Sequence, residues 1–219
     1  MLFILVYLTV QEPIPYSKLQ DESIHQFNDI DASLSYSYAN YLNWLFDDRI
    51  ELIKGKIFKM SPAPSRVHQK ISIRILNPLV NFLKGEVCEV YSAPFDVRFP
   101  KESKADKDVF TVLQPDICVV CDKNKLDDRG CIGAPDIVVE ILSPGNTKME
   151  LLHKYKVYEE FGVKEYWVVS QSDQNILIYT LNGLGKFEPS KQFTLSEKIT
   201  SSVLPGFELK LDDVFGDLN

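Results

Sequence analysis

The sequence predicts an α/β (α+β) fold, with a mixed central β-sheet flanked by helices and an N-terminal β-hairpin. Three observations predict it. Apolar runs of strand length recur at 86–98, 115–122, 136–142, 165–171 and 175–181. Two stretches, 66–84 and 149–161, repeat apolar residues at helical spacing. Ile50-Glu51-Leu52-Ile53 and Lys56-Ile57-Phe58-Lys59-Met60 are joined by Lys54-Gly55, and glycine in so short a loop is a hairpin signal.

The elements follow in order. Residues 36–46 suggest a short helix ahead of the hairpin. Ser61-Pro62-Ala63-Pro64-Ser65 ends the second strand and offers Ser65 as a helix cap. Val67, Ile71, Ile75 and Leu79 then mark one face of the first long helix, and Arg66, Lys70 and Arg74 make a basic stripe on it. Pro78 lacks a donor N–H and clashes with the preceding turn, so it is expected to kink or split that helix. Gly162 closes the helix at 149–161 in a left-handed C′ position. Ser172-Asp173-Gln174 turns between the next two strands, and Leu204-Pro205-Gly206-Phe207-Glu208-Leu209 turns into a last short strand. The polar stretch 11–35, with Pro13 and Pro15, reads as a linker, so residues 1–35 form an extension and 36–219 the domain.

The 219 residues bound one domain with extensions, or at most two. A net charge of −7 counts against tight non-specific binding of phosphate backbones, although a local basic cleft is compatible with it. The apolar start, Met1 to Val10, falls short of the roughly 20 residues a spanning helix needs. It lacks a basic flank and a cleavage site, so it reads as a strand, a partner-contacting arm or the product of a start codon placed too early, with no membrane role. Cys118 and Cys121 form a C-x-x-C inside an apolar strand, where positions three apart point to opposite faces. That is poor geometry for zinc. Cys88, Cys118, Cys121 and Cys131 are therefore expected as buried free thiols, as suits a cytoplasmic protein.

The chemistry is carried by acids in apolar runs. Asp116 opens the strand Pro115-Asp116-Ile117-Cys118-Val119-Val120, and Glu140 lies within Ile137-Val138-Val139-Glu140-Ile141-Leu142. Such charges are costly to bury unless they are paired or bind a metal. Adjacent strands can bring one carboxylate each to a hard cation. Asp136 shares a face with Glu140, but four residues at about 3.3 Å per residue keep the two roughly 13 Å apart. Its expected role is a hydrogen bond at the strand start.

The block Ala134-Pro135-Asp136, Glu140, Ser143-Pro144, then Glu150, Lys154 and Tyr158, then Gly162-Val163, Glu165-Tyr166-Trp167, resembles the Uma-two family of restriction endonuclease-like proteins, in the PD-(D/E)XK superfamily. Glu51, Gly55, Met60-Ser61-Pro62, His68 and Pro115-Asp116 precede it in the family order, and the resemblance runs from about Tyr36 to Phe215. It implies a restriction endonuclease-like core, with Asp116 and Glu140 as ligands of Mg²⁺ or Mn²⁺. The superfamily's lysine, two residues after the acid, is replaced here by Leu142, and the resemblance implies that Lys154 stands in from the helix.

On spacing alone, Lys154 could instead be a mostly exposed partner of Glu150, four residues before it. Glu51 is a third candidate acid or an anchor, and His68 a proton-transfer group or a hydrogen-bonded fixture. Lys148 is a candidate phosphate contact or a solvated lysine. The activity implied is that of a metal-dependent endonuclease hydrolysing phosphodiester bonds in DNA, working as a homodimer because a duplex has two strands. The alternative is a catalytically silent nucleic-acid-binding or regulatory and assembly module on the same fold.

Overall fold

The computed structural model describes residues 24–60, 63–143 and 148–218. The apolar segment 1–10, read as an arm, lies outside them. Residues 24–35 lead in, and Ile30 and Leu34 pack against a small cluster around Tyr36, Tyr38 and Leu52. Helix α1 (Tyr38–Tyr41) precedes the hairpin of β1 (Ile50–Ile53) and β2 (Lys56–Lys59). Lys54 and Gly55 both hold positive φ, 52° and 78°, as a two-residue hairpin turn requires. A side chain at position 55 would also strike Ser35.

Helix α2 (Arg66–Phe82) starts at Ser65, whose hydroxyl accepts from the His68 N–H at 3.2 Å. It runs unbroken through Pro78, against expectation. Ile71, Ile75 and Leu79, all fully buried, clamp it to the sheet on both sides of the proline. The basic stripe caps chain carbonyls near the C-terminus: Arg66 reaches Leu218 O, Lys70 Asp217 O, and Arg74 Val214 O and Gly216 O.

The run read as one strand over 86–98 is two. β3 (Glu89–Ser92) and β4 (Val97–Arg98) belong to different sheets, on either side of a cis Ala93–Pro94 bond. β5 (Val112–Leu113), β6 (Ile117–Val120), β7 (Leu126–Asp127), β8 (Gly130–Ile132) and β9 (Ile137–Leu142) follow. Helix α3 (Lys148–Phe161) ends at Gly162, φ 84°. Then come β10 (Glu165–Ser170), β11 (Asn175–Leu181), β12 (Phe187–Phe193), β13 (Lys198–Thr200), β14 (Glu208–Lys210) and α4 (Leu211–Phe215).

The central sheet is mixed, in the order β12-β11-β10-β9-β6-β3, with β9 and β10 parallel and the other pairs antiparallel. A second six-stranded sheet, β2-β1-β5-β4-β8-β7, was not foreseen, because three of its strands are only two residues long. Alternation along the central strands divides the core. Val139 and Ile141 face α2 and the C-terminal elements, whereas Val138 faces α3 and the second sheet. Glu140 shares the parity of Val138, so it points into the layer between the two sheets.

The cysteines correct the sequence reading. Cys118 and Cys131 are buried thiols, but Cys88 and Cys121 form a disulfide. The β3–β6 register sets Glu89 opposite Val120, and one step further it sets Cys88 opposite Cys121. With a sequence separation of 33, no local pattern announces the pair. The disulfide removes the support that free thiols lent to a cytoplasmic setting. Among the described residues no helix is long and apolar enough to cross a membrane.

Candidate functional site

Four of the five singled-out residues, Asp116, Glu140, Lys154 and His68, line one small cavity of about 70 Å³, together with Arg49, Gln114 and Leu142 among others. Glu51, the fifth, lies behind it on β1. The fold explains the meeting. β9 offers Glu140 from the central sheet, β1 offers Glu51 from the second sheet, and α3 passes between with Lys154, Val157 and Tyr158 on its buried face.

Lys154 Nζ lies 3.0 Å from Glu51 Oε1 and 3.0 Å from Glu140 Oε1. Tyr158, one helical turn on, donates to the same Glu140 oxygen at 2.6 Å. Glu51 Oε1 also accepts from the Gln114 N–H at 2.9 Å. All three ionic side chains are buried: Glu51 is 3% exposed, Glu140 7% and Lys154 5%. The alternative of an exposed Lys154 paired only along its helix does not hold, since the helix turns this residue inward onto Glu140 and Glu51.

Asp116 stands just before β6, where the pairing of Ile117 with Val139 continues to set it across from Glu140. Its Oδ2 accepts from the Ile141 N–H at 2.7 Å and lies 3.3 Å from His68 Nε2. His68 is buried, and its Nδ1 has no partner among the described residues. Lys148 is exposed at the start of α3. Asp136 has the expected role at the strand start: its carboxylate accepts from the Cys121 N–H at 2.7 Å and pairs with Lys164 at 2.7 Å.

Proton balance follows from this geometry. One ammonium faces two buried carboxylates. Burial pushes the Glu140 carboxyl up to about 7, against the pull of Lys154, and the Asp116 and Glu51 charges add to the rise. Burial works against the Lys154 charge, but Glu140 and Glu51 outweigh it and the ammonium is held more firmly than usual. For His68 burial favours the neutral ring, yet the contact with Asp116 prevails and its pKa is raised. Burial and the Glu140 charge raise the Tyr158 phenol well above its usual value.

This donor set does not fit a metal ion. One oxygen each of Glu51 and Glu140 faces the Lys154 ammonium, one oxygen of Asp116 accepts from the Ile141 N–H and faces His68, and among the described residues no three His, Cys, Asp or Glu side chains are grouped to hold an ion. The expected Mg²⁺ or Mn²⁺ centre on Asp116 and Glu140 is therefore corrected, and with it the metal-dependent endonuclease and its hydrolase activity. The physical reason is that the buried Glu140 charge is met by the Lys154 ammonium, which it shares with Glu51.

Sequence reasoning missed Gln114, which fastens Glu51, and Arg49, whose Nη2 donates to Gln114 Oε1 at 3.2 Å. It named Tyr158 only as part of a motif. The i, i+4 spacing from Lys154 was the available signal, since such residues share a helix face.

A mixed sheet flanked by α2 and α3, with acids on neighbouring central strands and a lysine between the sheets, defines a restriction endonuclease-like α/β protein. The chain belongs to the Uma2 family, described as "Putative restriction endonuclease", whose model matches residues 38–212. A protein of Synechocystis sp. (strain PCC 6803), described as uncharacterized, is 28% identical over 152 residues, which is 68% of this chain and 76% of that one. The crystal structure of "a putative nuclease belonging to DUF820" from Anabaena variabilis matches 84% of this chain and 99% of its own, with a TM-score of 0.65 and 19% identity. At that identity the likeness shows the fold alone.

Proposed function

We propose that this chain is a catalytically silent nucleic-acid-binding module built on a nuclease fold. The observation that carries the reading is the lysine buried between Glu51 and Glu140, which turns the acids of the site into an internal ion cluster. The fold family supports a nucleic-acid ligand. Arg49, exposed at the mouth of the cavity, and Lys148, exposed at the start of α3, are the phosphate contacts proposed here. Asp116, Glu140, Glu51, Lys154 and His68 then shape and stiffen the cavity floor. The net charge of −7 favours a second reading, a regulatory or assembly module.

The test is fluorescence anisotropy with labelled single- and double-stranded DNA and RNA, in low salt with a chelator present. Binding in the micromolar range, weakened at least about tenfold by Arg49→Ala with Lys148→Ala and by added salt, is expected. No cleavage should follow on adding Mg²⁺ or Mn²⁺. Absence of binding would transfer the chain to the assembly reading, and metal-dependent cleavage lost in Lys154→Ala would overturn silence itself.

A further inference from the structure

We infer that the free edge of β3 is a self-association surface, at which a second copy of this chain extends the central sheet. A sheet edge presents unpaired N–H and C=O groups, and proteins blunt such edges with charge, proline, irregularity or brevity. Three of the four edges of the two large sheets are blunted. β12 carries Glu188, Pro189 and Lys191 and has a shifted register against β11. β2 begins and ends with lysine, and β7 is two residues long. β3, with the sequence Glu-Val-Tyr-Ser, has neither proline nor lysine, and no described strand pairs with its outer side.

The direction of its backbone groups can be read. The Ala93 N–H donates to Asp116 O at 3.0 Å, toward β6. Groups alternate sides along a strand. Glu89 and Tyr91 therefore bond inward, while Cys88, Val90 and Ser92 direct N–H and C=O outward. Beside this edge runs a groove of about 380 Å³, walled by Val80, Leu83, Cys88 and Val90 among others. Val80 is 48% exposed and Val87 66% exposed, both large apolar residues next to the open ladder.

A second copy is the occupant that fits, because the edge is complementary to itself. A two-fold axis at Val90 sets each Val90 opposite its counterpart and each Cys88 opposite the other copy's Ser92, so all outward groups pair. Glu89 then stands opposite Tyr91 of the other copy. Within one chain the Tyr91 hydroxyl already donates to the Glu89 carboxylate, so the same donor and acceptor meet across the axis. A shift of the axis by one residue toward Glu89 would set Glu89 against Glu89. Charge agrees: Lys84 and Lys123 balance Glu86 and Glu89 around the strand, on a chain whose net charge is −7. Copies approach with least repulsion where the local charge cancels. Val90 packs under α2, so the two α2 helices come together on one face of the joined sheet, each presenting Val80.

Multi-angle light scattering at micromolar concentration, with hydrogen exchange read at single amides, tests this. Wild type should be a dimer with slow exchange at Val90 and Ser92. Val80→Asp with Val87→Asp alters only exposed side chains, so the fold should persist. It should raise the dissociation constant by at least about tenfold and free both amides. Val90→Pro deletes an outward N–H and should do the same at Ser92; should it misfold, the aspartate variant carries the test. A wild-type monomer would overturn the inference. So would a dimer indifferent to the aspartates, or one whose Val90 and Ser92 amides exchange freely. A monomer with those amides protected would assign the edge to another segment of the same chain, and that too overturns it.

Discussion

Replacing Lys154 with methionine keeps the length of the side chain and deletes its charge. Two carboxylates, on Glu51 and Glu140, are then left buried without a cation. Removing one partner of a buried ion pair costs about 3–5 kcal/mol, a large fraction of the roughly 5–15 kcal/mol that holds a domain folded. A surface lysine paired only along its helix would cost within about 0.5 kcal/mol, so the magnitude separates the two placements. The loss should also depend on pH. In the wild type the Glu140 carboxyl titrates near 7 instead of near 4.5. An acid whose folded pKa is raised adds stability that is complete below its unfolded value and disappears as pH rises through the folded value. Without Lys154 the folded value climbs further, so the variant goes on losing stability above pH 7, where the wild type has levelled off. The gap should be smallest near pH 5 and widen by up to about 1.4 kcal/mol per pH unit above 7. Urea denaturation at pH 5, 7 and 9, followed by the fluorescence of the buried Trp167, measures it. A gap below about 1 kcal/mol at pH 9, or one that does not change with pH, would refute the buried ion cluster.

The remaining predictions concern the same core. Glu140→Gln removes the group that titrates near 7, so relative to wild type the variant should gain stability from pH 4.5 to 7, by up to about 3 kcal/mol in pH-resolved melts. The His68 ring should titrate above the ordinary histidine range by NMR, and Asp116→Asn should lower it, because the contact with Asp116 is what outweighs burial. Buried Glu165 accepts from Trp167 Nε1 and Ser201 Oγ at 2.9 Å each, and from Ser202 N and Oγ at 2.6 Å each. Glu165→Ala should therefore cost about 3 kcal/mol or more in chemical denaturation, since four donors lose one acceptor. Alkylation of the denatured chain without reductant should modify Cys118 and Cys131 but spare Cys88 and Cys121.

Elements whose signals are local were legible in the amino-acid order. The hairpin turn at Lys54-Gly55, the Ser65 cap, α2, α3 and its Gly162 end, and the buried runs of β9 and β10 all follow from periodicity and from residues with few permitted conformations. It also pointed to Glu140 and Asp116, because a carboxylate inside an apolar run demands a partner. Which partner was decided by tertiary structure. Two sheets had to form before Glu51 on β1 could face Glu140 on β9, and α3 had to lie between them before Lys154 could reach both. The second sheet escaped notice because strands of two residues carry no period. The Cys88–Cys121 pair escaped because strand register, a long-range choice, sets it. The same register turns Val90 and Ser92 outward. Glu51 and Glu140 are paired with the chain's own lysine, because the charge that a buried carboxylate demands can be met by an ammonium as well as by a metal ion.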